Sequence, residues 1–181
     1  MSPRAFGYER PGEGATNDWI TPRWIIDALG GPDFFGTDPC ASESQPWPTA
    51  RVMNTQSMAN GLSIPWWGHV WCNPPYGPRA KVWLEHMSLR GDGIALVFAR
   101  TETESWQRIV FPTASAILFM DGRVRFCRPG DGKEMGSAGA PSALIAWGKE
   151  CASKLIDSPI RGFRVEGKNI YRGGKNDAAN S

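Results

Sequence analysis

Histidine is scarce in this chain of 181 residues: His69 and His86 are the only two. A metal centre built from several imidazoles is therefore excluded. A hydrolytic triad is also poorly supported, because a histidine base needs convergent partners that the pattern around these two does not suggest. Each reads as a packing or surface residue. Cysteine is sparse as well. Cys40, Cys72, Cys127 and Cys151 form no C-x-x-C pair, so structural zinc is not expected and the metal expectation is none. Scattered single thiols predict a reduced, cytoplasmic protein. No apolar run approaches the ~20 residues of a membrane span, and the first segment is polar rather than signal-like, so no membrane partner is expected. Charge of either sign is also lacking in excess. Twenty Lys and Arg against 18 Asp and Glu leave a net charge of +2, below that of a strongly basic domain. Any contact with nucleic acid must come from where the positive charges sit.

What the chain does have is one domain's worth of residues and nine tryptophans, most of which core packing and loop anchoring explain. Residues 1–16 form a loose lead with Pro3, Pro11, Gly12 and Gly14. Residues 17–165 form a compact middle, and 166–181 a polar tail. Within the middle, helix and strand signals alternate. Thr21-Pro22 offers an N-cap followed by proline at the first helical position, with Gly30-Gly31 as the stop. Phe34-Phe35 leads as a short strand into Asp38. Val70-Trp71-Cys72 is a second buried strand. Ala80, Trp83, Leu84 and Met87 predict a helix over 79–90. Ile94 to Phe98 reads as a strand buried on both faces. Thr101 and Glu104 have capping-box spacing ahead of Trp106, Ile109 and Val110. Three strand-like runs follow, Ala116–Met120, Val124–Phe126 and Ala143–Trp147, with no helix between them. The expected fold is a three-layer α/β domain with a mostly parallel sheet and an antiparallel edge.

The most informative residues are Asn73-Pro74-Pro75-Tyr76, at the mouth of the second strand. The Asn73 side-chain oxygen and the Pro74 carbonyl can each accept a hydrogen bond from a planar NH₂ group. Two prolines stiffen the loop, so the acceptors need no reorganisation when substrate arrives. Tyr76 supplies a face on which a base can stack. The bland alternative is a proline-rich turn that ends a strand. In open α/β sheets, ligands sit outside the carboxyl ends of the parallel strands at a switch point. Asp38-Pro39-Cys40-Ala41 and Asn73–Tyr76 both fall at such ends. A cofactor at the first and an amine at the second would lie side by side.

Taken together, Trp19-x-Thr21-Pro22, Asp38-Pro39-Cys40-Ala41, Asn60-Gly61-Leu62 and Asn73-Pro74-Pro75-Tyr76 resemble the phage-encoded DNA N6-adenine methyltransferases of the Dam type. Ala99-Arg100-Thr101, Gly122 to Phe126 and Gly139-Ala140-Pro141-Ser142 extend the likeness over roughly 17–148. The resemblance implies a Rossmann-like, S-adenosylmethionine-dependent methyltransferase. It places Trp19, Thr21, Pro22, Asp38, Pro39, Cys40, Ala41 and Asn60 around the cofactor, and Asn73, Pro74, Pro75 and Tyr76 at the transferred amine. The target would be adenine flipped out of double-stranded DNA. Arg79, Lys81, Arg123, Arg125, Phe126 and Arg128 would be the DNA-binding edge, against the alternative of a solvated hairpin face. A phage-encoded enzyme would work in the bacterial host cytoplasm. The chain departs from the family pattern in two places. Cys40-Ala41-Ser42 lacks the usual glycines, and Asn60 stands where relatives carry an acid. Other substrates fit the same chemistry, an RNA adenine or a protein glutamine amide. A catalytically inactive fold that only binds DNA is the reading from a different class. No target sequence and no oligomeric state are read from these patterns.

Overall fold

In the computed structural model, residues 19–55, 60–77 and 79–167 are described. The expected loose lead and nearly all of the polar tail lie outside them.

Helix α1 (Arg23–Ala28) begins one residue later than the proline signal predicts. Its first bond runs from the Ile25 N–H to the Pro22 carbonyl, and Thr21 is buried instead of capping. Gly30 and Gly31 end the helix as expected, both with positive φ. Strands β1 (Phe35–Ala41), β2 (Val52–Thr55) and β3 (His69–Cys72) follow, then helix α2 (Ala80–Arg90) and strand β4 (Gly93–Phe98). Helix α2 buries Trp83, Leu84 and Met87 and stops at left-handed Gly91.

The capping box does not form. The next helical stretch starts at Glu104, whose carboxylate faces Lys81 at 3.1 Å and Arg108 at 3.8 Å. Trp106–Val110 is wound as a π-helix and runs into α3 (Phe111–Thr113). Pro112 has no N–H to give to Arg108, so the turn widens and the Phe111 N–H reaches back to Trp106.

Strands β5 (Ala116–Met120), β6 (Arg125–Cys127), β7 (Glu134–Ser137) and β8 (Ser142–Trp147), helix α4 (Lys149–Ile156) and β9 (Gly162–Glu166) complete the fold. The seven-stranded sheet has the order β2-β1-β3-β4-β8-β5-β9. From β2 through β4 every pairing is parallel. Strand β8 then runs antiparallel to both β4 and β5, and β9 antiparallel to β5. Antiparallel pairing is thus not confined to an edge: β8 lies inside the sheet, buried at every position. The run at Val124–Phe126 also differs from expectation. It leaves the sheet after Gly122 and pairs with β7 in a separate hairpin.

Side chains alternate across the sheet and build a core on each face. Trp71, Ile94, Leu96, Leu144 and Ala146 pack with α1 and α4. Val70, Cys72, Ala95, Val97, Ile145 and Trp147 pack with α2 and the π-helical turn. Helices on both faces of one sheet make three layers. No helix among the described residues is long and apolar enough to cross a membrane.

Candidate active site

Because β2 and β3 flank β1 on opposite sides, the chain reverses its direction of travel across the sheet between β1 and β3. That is a topological switch point, where the loops after neighbouring parallel strands part and leave a crevice. A cleft of about 730 Å³ opens there, within the range of small-molecule sites.

One wall comes from β1. Burial pushes the Asp38 carboxyl up to about 6, although it accepts hydrogen bonds from the Thr49 hydroxyl and the Cys40 N–H, which act the other way. The chain then turns through Ser42 to Gln45 along the cleft. The carboxamide nitrogen of Gln45 is buried there without a hydrogen-bond partner among the described residues. Glu43 adds an exposed carboxylate.

The floor comes from β3. Asn73 is held from two sides: its Nδ2 donates to the Trp19 carbonyl at 2.6 Å, and its Oδ1 accepts from the Tyr76 hydroxyl at 3.2 Å. A backbone carbonyl can only accept, so the first bond fixes which end of the amide is nitrogen. The second leaves Oδ1 another lone pair. The Asn73 carbonyl accepts from the Cys40 thiol at 3.3 Å, and the Cys40 and Cys72 sulfurs are 3.6 Å apart. Burial, with Cys72 beside it, pushes the Cys40 thiol up, so it remains protonated and donates.

Tyr76 is half-buried. Its ring stacks on Phe98 at 4.2 Å and meets the rings of Trp19 and Phe126 edge-on. Packing around the phenol pushes it well above its usual value, so its hydroxyl also stays protonated.

The Trp19 carbonyl is itself positioned. Ile20 exchanges both backbone hydrogen bonds with Cys127 of β6. In extended backbone the next carbonyls point the opposite way. Those of Trp19 and Thr21 duly accept from Asn73 and from the Trp47 indole. The hairpin β6–β7 closes the same corner: the Gly130 N–H donates to the Ser44 carbonyl, and Gly132 lies against Trp47.

All four residues from Asn73 to Tyr76 line the cleft, as do Trp19, Thr21, Asp38, Cys40 and Ala41. Pro22 and Pro39 are buried and do not line it. Asn60 is exposed, and its side chain accepts from the Leu62 N–H to hold a turn. The next residue, Gly61, carries that turn against β1. A Cβ there would sit 1.7 Å from the Pro39 carbonyl oxygen.

Of the basic set, Arg79 lines the cleft. Lys81 faces Glu104, and Arg123 donates to the Ala138 carbonyl. Arg125 and Arg128 are exposed on the hairpin, beside Glu134 and Asp131. Phe126 is fully buried against Trp19 and Tyr76, so its ring is core and offers no face to a nucleic acid. Phe98, Thr49 and Gln45 were not legible as site residues. Nothing in their local pattern differs from that of ordinary strand or loop residues.

The model of the family described as DNA N-6-adenine-methyltransferase (Dam) matches residues 12–163. The chain belongs to this family. No curated protein and no solved structure matches it. The Dam match spans every strand of the central sheet except the last residues of β9, and so covers the whole cleft. Two stretches that carry the likeness in sequence meet in space: the Ala99 N–H donates to the Pro141 carbonyl, just past Phe98 opposite Ser142.

Proposed function

We propose that this Dam-family chain transfers a methyl group from S-adenosylmethionine to the exocyclic N6 of an adenine flipped out of double-stranded DNA. The observation that carries the reading is the Asn73 amide, oriented by the Trp19 carbonyl and the Tyr76 hydroxyl at the edge of the cleft. Adenine N6 is a poor nucleophile because its lone pair is delocalised into the ring. The Asn73 Oδ1 and the Pro74 carbonyl accept from N6–H, which localises that lone pair and stabilises positive charge developing on nitrogen. These acceptors are preorganised, and no covalent enzyme intermediate is needed. The Cys40 thiol, the nearest candidate nucleophile, is protonated and committed to the Asn73 carbonyl.

Three observations support the cofactor. The donor set suits it: Asp38 and Glu43 offer carboxylates to a net cation, and the buried, unpartnered Gln45 amide offers a donor to an acceptor group. Gly61 lets the turn at 60–63 close on β1, which shapes that wall in the absence of the usual glycines after Asp38. The cleft lies at the switch point between β1 and β3, as the Rossmann-like reading requires. When bound, S-adenosylmethionine supplies the electrophilic methyl group.

A target atom inside a duplex is out of reach, so the base must leave the stack. Tyr76, backed by Phe98, offers the stacking surface. Arg79 at the cleft and the hairpin arginines offer contacts to phosphates. A bacterial cytoplasm is the compartment that the phage-type resemblance implies.

The test is transfer from labelled S-adenosylmethionine to unmethylated duplex DNA, followed by digestion and identification of the modified nucleoside. N6-methyladenine is expected. Incorporation only into RNA or protein would move the substrate to one of those classes. No incorporation and no cofactor binding would leave a DNA-binding fold without activity.

A further inference from the structure

At the opposite end of β3 from Asn73, on the order of 13 Å along the strand, four titratable side chains from three elements converge. His69 opens β3, Asp92 precedes β4, and Glu150 and Cys151 lie in the first turn of α4. The His69 Nδ1 is 2.7 Å from the Asp92 Oδ1, and the Cys151 sulfur is 3.6 Å from the same oxygen. A ring nitrogen of His69, a carboxylate oxygen of Asp92 and the sulfur all lie within 4.8 Å of one another. The His69 Nε2 is 2.9 Å from Glu150. Cys151 is fully buried, and the Gly93 N–H faces its sulfur. Gly148 packs closely on this corner: a Cβ there would be 2.9 Å from the Gly91 carbonyl oxygen and 3.2 Å from the Asp92 Oδ1.

We infer that His69, Asp92 and Cys151 form a binding site for a zinc-class divalent cation, separate from the catalytic cleft. The donor types decide the metal. Imidazole and thiolate beside one carboxylate suit zinc and its borderline neighbours, whereas magnesium and calcium take oxygen sets. Bond lengths of ~2.0–2.3 Å place tetrahedral donors roughly 3.3–3.8 Å apart, so side-chain movements of ~1 Å close the set. The cation takes the Nδ1 lone pair and displaces the proton that otherwise bridges Nδ1 and Asp92, and the thiol releases its proton as it binds. Nε2–H then donates to Glu150, the outer carboxylate that fixes tautomer and ring orientation in zinc-bound histidines. Water fills the fourth position. Two cations lie nearby, Lys154 over the Phe34 ring that stacks on His69 and Arg90, which donates to the Gly68 carbonyl, set against the carboxylates of Asp92 and Glu150 and the thiolate that Cys151 supplies on binding. The bound ion ties α4 to the start of β3 and β4. The expectation of no metal rested on widely spaced thiols, and these donors come from positions 69, 92 and 151 with no recognisable spacing.

The test is titration of the metal-free full chain with cobalt(II), read as thiolate-to-cobalt charge-transfer absorption, with zinc as competitor. One equivalent should bind, and zinc should abolish the band and raise Tm. Cys151→Ser should lose the band. His69→Gln should weaken zinc at least tenfold, and Glu150→Gln by roughly 10–100-fold. Cys40→Ser should keep the band, because the Cys40–Cys72 pair lies at the other end of the sheet. Absence of the band in the wild-type chain, or its persistence in Cys151→Ser, would overturn the assignment. None of these readouts depends on methyl transfer.

Discussion

Asn73 separates two kinds of information. Its identity, and that of Pro74, Pro75 and Tyr76, is written in four adjacent letters. Its orientation depends on the carbonyl of Trp19, 54 residues away in sequence, and a backbone carbonyl carries no residue signature. The hydroxyl of Tyr76 is a similar case: the sequence suggests a stacking ring, and the structure adds a hydrogen bond to the Asn73 Oδ1. Tyr76→Phe should keep the ring and lose that bond. A neutral hydrogen bond contributes about 0.5–1.5 kcal/mol, so kcat should fall roughly 3- to 10-fold with little change in KM for DNA. Tyr76→Ala should raise that KM as well, and steady-state kinetics on both variants separates the two roles. Asn73→Ala should lower kcat by at least ~100-fold while DNA binding, measured by fluorescence anisotropy, stays near the wild-type value.

Asp38 gives a prediction with a sign. Its carboxyl is raised from 3.8 to about 6 by burial, so folding favours the protonated form. Its contribution to stability is complete below about pH 4 and is lost as pH rises through about 6, a change of roughly 3 kcal/mol. Cofactor binding should show the opposite trend. A cationic ligand favours the ionised carboxylate, so the Kd for S-adenosylmethionine should rise as pH falls below about 6. Asp38→Asn should flatten both curves, as read by urea unfolding and by calorimetric titration across pH 4.5–8. A wild-type Kd that does not change over that range would remove Asp38 from the cofactor site.

Among the elements, those with strong periodicity were legible and those set by partners were not. Helix α2 follows from Trp83, Leu84 and Met87, and β4 from its continuous apolar run. The π-helical turn at Trp106–Val110 has helical apolar spacing, and only Pro112 hints at the widened winding. The run at Val124–Phe126 has strand character, but nothing in it distinguishes a sheet strand from a hairpin. Its partner β7, whose four residues are Glu134, Met135, Gly136 and Ser137, has no apolar alternation to read. In the stretch Asn60-Gly61-Leu62 the sequence draws attention to Asn60 as a cofactor contact, whereas the structural demand falls on Gly61, which opens the turn Gly61–Ser63. Gly61→Ala should push the turn off Pro39 and Trp83. We expect a loss of roughly 1–3 kcal/mol, typical of overpacking, together with a weaker affinity for S-adenosylmethionine. Urea unfolding combined with cofactor titration would detect both. Full stability with unchanged affinity would mean that the turn has no part in shaping the cleft.

Over the whole molecule, alternation of α and β signals was enough to indicate three layers, because each strand must be covered on both faces. The place of β8 inside the sheet was not legible: its six buried residues suit an interior parallel or antiparallel strand equally. Charge follows the same division between count and placement. A net +2 gives no general attraction to DNA, so electrostatic binding must come from a few arginines near the cleft. Lys81, Arg125 and Arg128 already face carboxylates, and each would have to leave its partner to meet a phosphate. Arg79 lines the cleft and has no ion-pair partner among the described residues, which makes it the residue best placed to bind a phosphate at no such cost. Each neutralised phosphate contributes about −0.9 to the slope of log affinity against log salt. Arg79→Ala should therefore weaken binding on all duplex sequences alike and make the slope shallower by roughly one unit. Arg128→Ala, which also frees Asp131, should change the slope less. Anisotropy titrations at several salt concentrations measure both. Equal slopes for wild type and Arg79→Ala would show that DNA does not enter across this side of the cleft.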